Sequence, residues 1–477
     1  MALNPRVKID VQSNITLTAP GGPGVIALIG TAQWGSTSAL QVFDSFSTLL
    51  STYKEDKSAL SQGIVRAADI AYANGAQTIK VVRIVDGSEV KSTVGLDGNS
   101  GAENDVLTFS GLYFGTYGNN ILVTVTTQGT GRIVEVTDGT LTERFDNNSD
   151  ANGYATNAAI ASAINGNSQL VSVAVKVGSE TSNLVDAISN AQLSGGNDGG
   201  TSIDATDYTT AFDNYFANED WDILICPGTD ALNASNAFQT TMIGKVNTRA
   251  SSDKKYGIFV SGVTTNELLA GMQARTAAGE RLVLCAPSIT YSPRYQSASV
   301  TLNGSFLACA LAGYMASQDV EVSPTRKVLN VNPIVNTTSG KQFYTLSEIE
   351  QVLQQRIIPV SKIEGAIKAA RGVTRIADTT SVFFEVNIVR IVDFIKAQVQ
   401  TALDPFLGQS NLERVRKVMG TEVDGILQQA RLDEVIEEYL PTEVTVGTSP
   451  DTVNVSMTIQ PTFAINFINV VLAVSRL

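Results

Sequence analysis

Val25-Ile26-Ala27-Leu28-Ile29-Gly30 is a short apolar run closed by a glycine. A run of this length with no polar interruption has the pattern of a strand buried on both faces. Downstream, residues 58–74 carry Leu60, Ile64, Ala67, Ala68 and Ala71 at helical spacing, and Gly75 stands where a C′ glycine belongs. Residues 79–85 then read as a second strand. Strand, helix and strand in that order are the repeating element of an α/β domain. The rhythm returns after Asp204, with strands expected at 223–228, 256–260 and 282–287. Thr264 with Glu267 has the spacing of a capping box opening a helix. Residues 306–315 read as a helix apolar on most sides.

Further outward the pattern changes. Residues 88–200 are rich in Gly, Asn, Ser and Thr, with alternating stretches at 121–125 and 132–136 and a helical stretch near 157–164. They read as an inserted β-rich module closed by the loop 193–200. Beyond Arg371, residues 386–403 place Val389, Val392, Ile395, Val399 and Leu403 on one helical face, and Asp404-Pro405 ends that helix. Ser410 with Glu413 and Thr421 with Asp424 suggest two further helix starts. Both ends of the chain alternate. Residues 6–12 set Val7, Ile9 and Val11 against Arg6, Lys8 and Asp10, and residues 453–459 set Val453, Val455, Met457 and Ile459 against polar neighbours. A last apolar run, 465–474, contains Ile465, Phe467, Val470, Leu472 and Val474. Strands at the termini need partners for their backbone groups, in the same subunit or in a neighbour. An extended arm of residues 1–20 reaches roughly 65 Å, farther than the radius of a domain.

The expected organisation is therefore a mixed α/β, multidomain chain with a sandwich-like central core. Residues 1–20 form an arm, 21–87 the first part of the α/β domain and 88–200 the insert. Residues 201–365 form the central α/β domain, 366–460 a helical and β core, and 461–477 a terminal strand.

Composition narrows the chemistry. The 477 residues are 43% hydrophobic, enough for real cores, and the net charge of −13 disfavours nucleic acid and anionic membranes. No apolar run is long enough to span a bilayer, since 463–474 contains Asn466 and Asn469. Met1 to Pro5 does not read as a signal peptide, so folding in a cytoplasm is expected. There is no histidine, which excludes Ser-His-Asp and HExxH chemistry. Cys226, Cys285 and Cys309 are dispersed in apolar stretches and read as buried thiols. The glycine-rich stretches 21–24 and 195–200 lack the Gly-Lys-Ser/Thr of a phosphate loop and read as turns. Asp220/Asp222 and Glu437/Glu438 read as solvated acids. No cofactor or metal site is expected. Arg414 and Lys417 share a helix face and could form a basic ridge for an acidic partner.

In order along the chain, these segments resemble the tail sheath proteins of contractile bacteriophage tails and related injection machines. Gly30-Thr31-Ala32-Gln33-Trp34-Gly35, Tyr72-Ala73-Asn74-Gly75 with Val81-Val82-Arg83, Leu193-Ser194-Gly195-Gly196-Asn197-Asp198-Gly199, and Ala312-Gly313-Tyr314-Met315-Ala316-Ser317-Gln318-Asp319 carry the likeness. Arg371-Gly372-Val373-Thr374 and Asn387-Ile388-Val389-Arg390-Ile391-Val392-Asp393 extend it. The family's aromatic and Pro-Ala segment after the Asp319 position is replaced here by Val322-Ser323-Pro324-Thr325-Arg326-Lys327. The resemblance implies a structural, non-enzymatic subunit of a virion tail, assembled in the host cytoplasm. It implies hexameric rings of this chain stacked helically around an inner tail tube protein, contacts to baseplate and tail-terminator proteins, and neither direct nucleic-acid contact nor membrane insertion. Val7, Ile9, Val11, Ile465, Phe467, Val470, Leu472 and Val474 would lie in inter-subunit arms. Val453, Val455, Met457 and Ile459 would belong to the receiving sheet, and Arg414 and Lys417 would face the tube. The alternatives are a non-contractile filament or surface-layer protein built by strand exchange, or a hydrolase working with carboxylates alone.

Overall fold

The computed structural model describes residues 24–37, 39–54, 63–99, 105–147, 152–234, 236–253, 255–293, 299–378, 380–449 and 451–466. The chain begins with β1 (Val25–Gly30), β2 (Gln41–Phe43), α1 (Phe46–Tyr53), α2 (Ile64–Ala73) and β3 (Thr78–Arg83). The insert contributes β4 (Thr93–Leu96), β5 (Leu107–Gly111), β6 (Leu122–Gln128), β7 (Gly131–Thr137), β8 (Thr142–Phe145), α3 (Asn157–Asn167), β9 (Val171–Val175) and β10 (Ile188–Gln192). Then follow α4 (Ala205–Ala211), β11 (Ile223–Ile225), α5 (Asp230–Ala234), α6 (Ala237–Thr248), β12 (Ile258–Gly262), α7 (Leu269–Gln273), β13 (Leu282–Ala286), β14 (Ser288–Tyr291) and β15 (Val300–Leu302). The chain continues through α8 (Gly304–Ala316), β16 (Asn332–Ile334), α9 (Leu346–Gln354), β17 (Ile358–Ile363) and β18 (Ala366–Ala369). It closes with α10 (Val386–Leu403), α11 (Glu413–Leu432), β19 (Ile436–Val446) and β20 (Val453–Pro461).

The central sheet has eight strands in the order β18-β17-β13-β12-β11-β1-β3-β2. Its six inner strands are parallel, and β2 and β18 close the edges antiparallel. The apolar run 25–30 is unbroken because both faces of β1 are covered. Ile26 and Leu28 enter one core with α2 and α8, while Ala27 and Ile29 enter the other with α4 and α6. In α8 every residue but Tyr314 is buried, so this helix has no solvent face to encode. Gly313 lets α8 cross α2 closely, since a Cβ there would lie 2.3 Å from the Ala71 carbonyl oxygen. Gly75 ends α2 at φ +105, which favours glycine.

The insert is two sheets, β10-β6-β7-β8 and β4-β5-β9, closed over a core that includes Phe109, Val123, Val134 and Ile160. The C-terminal unit packs α10 and α11 against the β19–β20 hairpin through Ile391, Ile395, Val423, Leu427 and Ile436.

Several expectations are corrected. Residues 413–432 are one helix, and Thr421 lies inside it with its hydroxyl donated to the Lys417 carbonyl. The N-cap is Leu412, with no side-chain cap bond, so neither Ser410 nor Thr421 opens a helix. Thr264 and Glu267 do bond as in a capping box, but α7 starts at Leu269 and Glu267 also grips Arg275. The strand β19 was not expected at all. The division drawn between 365 and 366 falls inside the β17–β18 hairpin, so β18 belongs to the central sheet.

Candidate assembly surfaces

In a parallel sheet of this kind, ligands usually sit beyond the carboxyl ends of the strands, where the strand order reverses. Here the reversal lies between β1 and β11. The space beside it is taken by the junction with the insert. Arg83, at the end of β3, is 1% exposed and donates to the carbonyls of Gly35 (2.8 Å), Phe114 (2.9 Å) and Asp198 (3.1 Å). Burial pulls its guanidinium down to about 10, against the pull of Asp198. Asp198 in turn accepts the Thr116 N–H at 2.6 Å, so the glycine-rich segment 195–200 is a structural seam. Further along the same end of the sheet, Arg275 donates to Glu267, the Asn233 carbonyl and Gln239, and Arg375 donates to the Arg275 carbonyl at 2.7 Å. These polar clusters are stitched to their own chain, an arrangement that holds loops in place.

The acidic pairs separate in role. Asp222 accepts the Val25 N–H at 2.7 Å and so pins the start of β1, while Asp220 pairs with Lys255 at 3.0 Å on the surface. Glu437 and Glu438 are exposed on β19. Cys226, Cys285 and Cys309 are buried free thiols, and burial pushes all three above the ordinary thiol range. Among the described residues no group of acidic or thiol side chains is placed to hold a metal, and no helix is long and apolar enough to cross a membrane.

The hairpin has a different character. Val455, Met457 and Ile459 pack inward on the helices with Tyr439, and Val453 continues their row at the far end of β20. The residues between them, Asn454, Ser456, Thr458 and Gln460, face solvent. The sheet has only two strands among the described residues, so the outer edges of β19 and β20 both lack a strand partner. After β20 the chain stays tied down. Thr462 donates to the Val435 and Glu434 carbonyls, and Asn466 donates to Glu385, itself bonded to Arg371 at 2.8 Å. Ile465, between these anchors, is 80% exposed. Val7, Ile9, Val11, Phe467, Val470, Leu472 and Val474 lie outside the described residues. Arg414 and Lys417 are both exposed on α11, and Lys417 pairs with Glu413 at 2.8 Å.

Residues 378–475, which contain this hairpin, match the family described as the phage tail sheath C-terminal domain. The sheath likeness extends beyond it. A protein of Enterococcus phage phiEF24C named "Putative tail sheath protein" is 23% identical over 175 residues, 35% of this chain and 30% of that protein's length. The sheath tail protein of Desulfitobacterium hafniense superimposes with a TM-score of 0.69 at 17% identity, over 97% of this chain and 96% of that one. The sheath tail protein of Listeria innocua does so at 0.65 and 18%, over 92% of each chain. The helical sheath of the anti-feeding prophage in its contracted state gives 0.54 at 10% identity, over 99% of each. At these identities the structural likeness is one of fold.

Proposed function

We propose that this chain is the structural subunit of a contractile tail sheath and has no catalytic role. The observation that carries this is the hairpin of the matched C-terminal region, whose inner face packs on α10 and α11 and whose two outer edges have no strand partner among the described residues. A two-stranded sheet is marginal alone and gains stability by pairing with further strands. Strand addition supplies many main-chain hydrogen bonds with alternating side-chain contacts. The alternating segment 6–12 and the apolar run 465–474 have the pattern such partners need. Donated by neighbouring copies, they link subunits into hexameric rings stacked helically around an inner tube protein. The links hold while the domains rotate as rigid bodies, so contraction is a shift between two lattices of different contact free energy. Contraction drives the tube through the target envelope. Baseplate and terminator proteins bound the stack, and the assembled sheath belongs to a virion tail built in the host cytoplasm. Arg414 and Lys417 form the ridge that faces the tube.

Negative-stain electron microscopy of the purified full-length protein tests this reading. Hollow tubes with six-fold end views are expected. Monomers that stay dispersed at high concentration would overturn self-assembly through open edges, and solid fibrils of a single spacing would favour a non-contractile filament.

A further inference from the structure

Charge is spread unevenly along this chain. Residues 88–200 carry twelve Asp/Glu and four Lys/Arg, so the insert is strongly acidic. Residues 322–372 carry seven Lys/Arg and three Asp/Glu, a basic stretch in a chain of net charge −13. The fold gathers part of that basic charge at one sheet edge. Segment 326–329 runs along the outer side of β18. There the Arg326 N–H donates to the Ala369 carbonyl at 2.8 Å, the Ala369 N–H to the Lys327 carbonyl at 3.1 Å, and the Leu329 N–H to the Ile367 carbonyl at 3.0 Å. The backbone of this edge is thereby satisfied within the chain, and what it presents outward is charge. Arg326, Lys327 and Lys362 are exposed and make no ion pair among the described residues, while Lys368 pairs with Glu364 at 3.0 Å. Arg326 and Lys327 end the stretch that stands in place of the aromatic and Pro-Ala segment. Their turn is held firmly: the Lys327 N–H donates back to the Pro324 carbonyl at 3.2 Å, and the Thr325 hydroxyl accepts the Gly372 N–H at 3.0 Å. Arg326 sits at φ +61, a left-handed conformation that a non-glycine residue keeps only where its surroundings impose it.

Exposed acids of the insert converge at the end remote from its junction with the sheet. β4 starts beside the closing loop, where Thr93 and Ser194 exchange backbone bonds, and runs away from it to Leu96. Just beyond, the Asp186 N–H donates to the Asp97 carbonyl at 2.8 Å and the Asp105 N–H to the Asp97 carboxylate at 2.9 Å. Asp97, Asp105 and Asp186 are all exposed. The insert leaves the central sheet after β3, near one edge, and the basic side chains line β18 at the other. Six strand spacings separate β3 from β18, roughly 29 Å across the sheet. Lys362 lies near the carboxyl end of β17, and β17 runs in the same direction as β3, so both features stand at the same end of the sheet. Under the assembly role proposed above, on which this inference rests, we propose that the acidic corner of the insert in one copy docks against the basic β18 edge of a second, laterally adjacent copy. Complementary patches at different places on one surface make a head-to-tail contact, which closes into a ring when the rotation per copy allows. Two inserts repel each other, as do two basic edges, so copies meeting in the wrong order are rejected. The contact uses side-chain charge and is separate from main-chain pairing at the hairpin.

A charge swap in the full-length protein tests this. Lys327→Glu with Lys362→Glu is expected to lower polymer yield at low salt by about tenfold, and so is Asp97→Lys with Asp186→Lys. All four changes together are expected to restore it. Wild-type yield from either double variant, or no rescue by the combination, would overturn the contact. Unchanged yield from Lys327→Glu with Lys362→Glu, together with lost retention on a heparin column, would instead give the basic edge to an anionic polymer. Cross-linking supplies a readout that does not depend on reversed charges. The native cysteines are all buried, so Lys327→Cys and Asp186→Cys can be placed in separate copies, mixed during assembly and joined by a short bismaleimide. A product holding one copy of each kind is expected, and its absence from polymers that do form would overturn the contact alone. If the wild-type protein forms no polymer, the failure belongs to the assembly role, and the contact falls with it.

Discussion

The central sheet and the C-terminal hairpin use strands in opposite ways. The eight-stranded sheet is covered on both faces and closed at its edges by short antiparallel strands, β2 of three residues and β18 of four. Its hydrogen bonds and apolar surface are satisfied within one chain. The hairpin is covered on one face only, and its edge strands run to eleven and nine residues. Long open edges are what folded proteins usually avoid. Among the described residues these two are the longest edge strands of any sheet. The contrast separates folding from assembly: changes in the sheet should act on the monomer, and changes at the hairpin or its donors on the polymer.

The strongest break of that contrast comes from deleting residues 1–12. The expected outcome is a subunit with unchanged circular dichroism and melting temperature that forms no rings or stacks, measured by sedimentation velocity and electron microscopy. Normal polymers from this truncation would remove the N-terminal segment from the lattice. In the other direction, Leu311→Ala in α8 strikes a fully buried side chain in the core under the sheet. It should cost the monomer about 2–5 kcal/mol in urea unfolding. Met457→Ala, on the half-buried face of the hairpin, should cost the monomer less than Leu311→Ala while reducing polymer yield. Equal losses of monomer stability would erase the distinction between the two regions.

The seam between sheet and sheath domain offers a subtler probe. Arg281, which starts just before β13, bonds to Asp393 on α10, and both are buried. Burial pushes the Asp393 carboxyl from 3.8 up to about 6, outweighing the opposing pull of Arg281 and then Lys396, with Glu280 adding to the rise. The folded state thus holds a proton that the unfolded chain has released. The contribution of this group to stability is therefore greatest at low pH and declines as pH rises from about 4 to about 6. Asp393→Asn removes that dependence. The gap between wild type and variant should change by roughly 3 kcal/mol across this window, read from urea midpoints at each pH. Parallel curves would show that Asp393 titrates normally.

How much of this was legible follows from local pattern. β1, β11, β12 and β13 were readable because a strand buried on both faces is written as an apolar run. The limits of α10 coincide with 386–403 because apolar spacing fixes its face and Asp404-Pro405 fixes its end. β19 escaped notice for a physical reason. Glu437-Glu438, Pro441 and two register shifts break the period-two signal that its partner β20 shows cleanly. Thr421 with Asp424 imitated a helix start, yet inside α11 the Thr421 hydroxyl turns back to Lys417 and Asp424 reaches out to Thr442. The contacts joining distant segments, Arg83 to Asp198 and Arg281 to Asp393, leave no local trace. β20 was visible as the alternation of residues 453–459, but the unpaired outer edge of β19 emerged only from the fold.

The smallest expected effect concerns Arg414 and Lys417. Both side chains are exposed, and the Lys417–Glu413 pair is 76% and 73% exposed, one turn apart on α11. Solvent screens such a pair, and holding two long side chains in one geometry costs entropy. Reversing both charges should therefore leave the melting temperature of the monomer where it was. Polymerisation through the hairpin edges should also persist, because neither residue belongs to β19 or β20. What should fall is co-assembly with tube protein, and more steeply at low ionic strength, where exposed charges act over longer distances. Co-sedimentation of sheath and tube at two salt concentrations measures this directly. Equal recovery of the charge-reversed and wild-type proteins at both concentrations would take Arg414 and Lys417 out of the proposed tube contact.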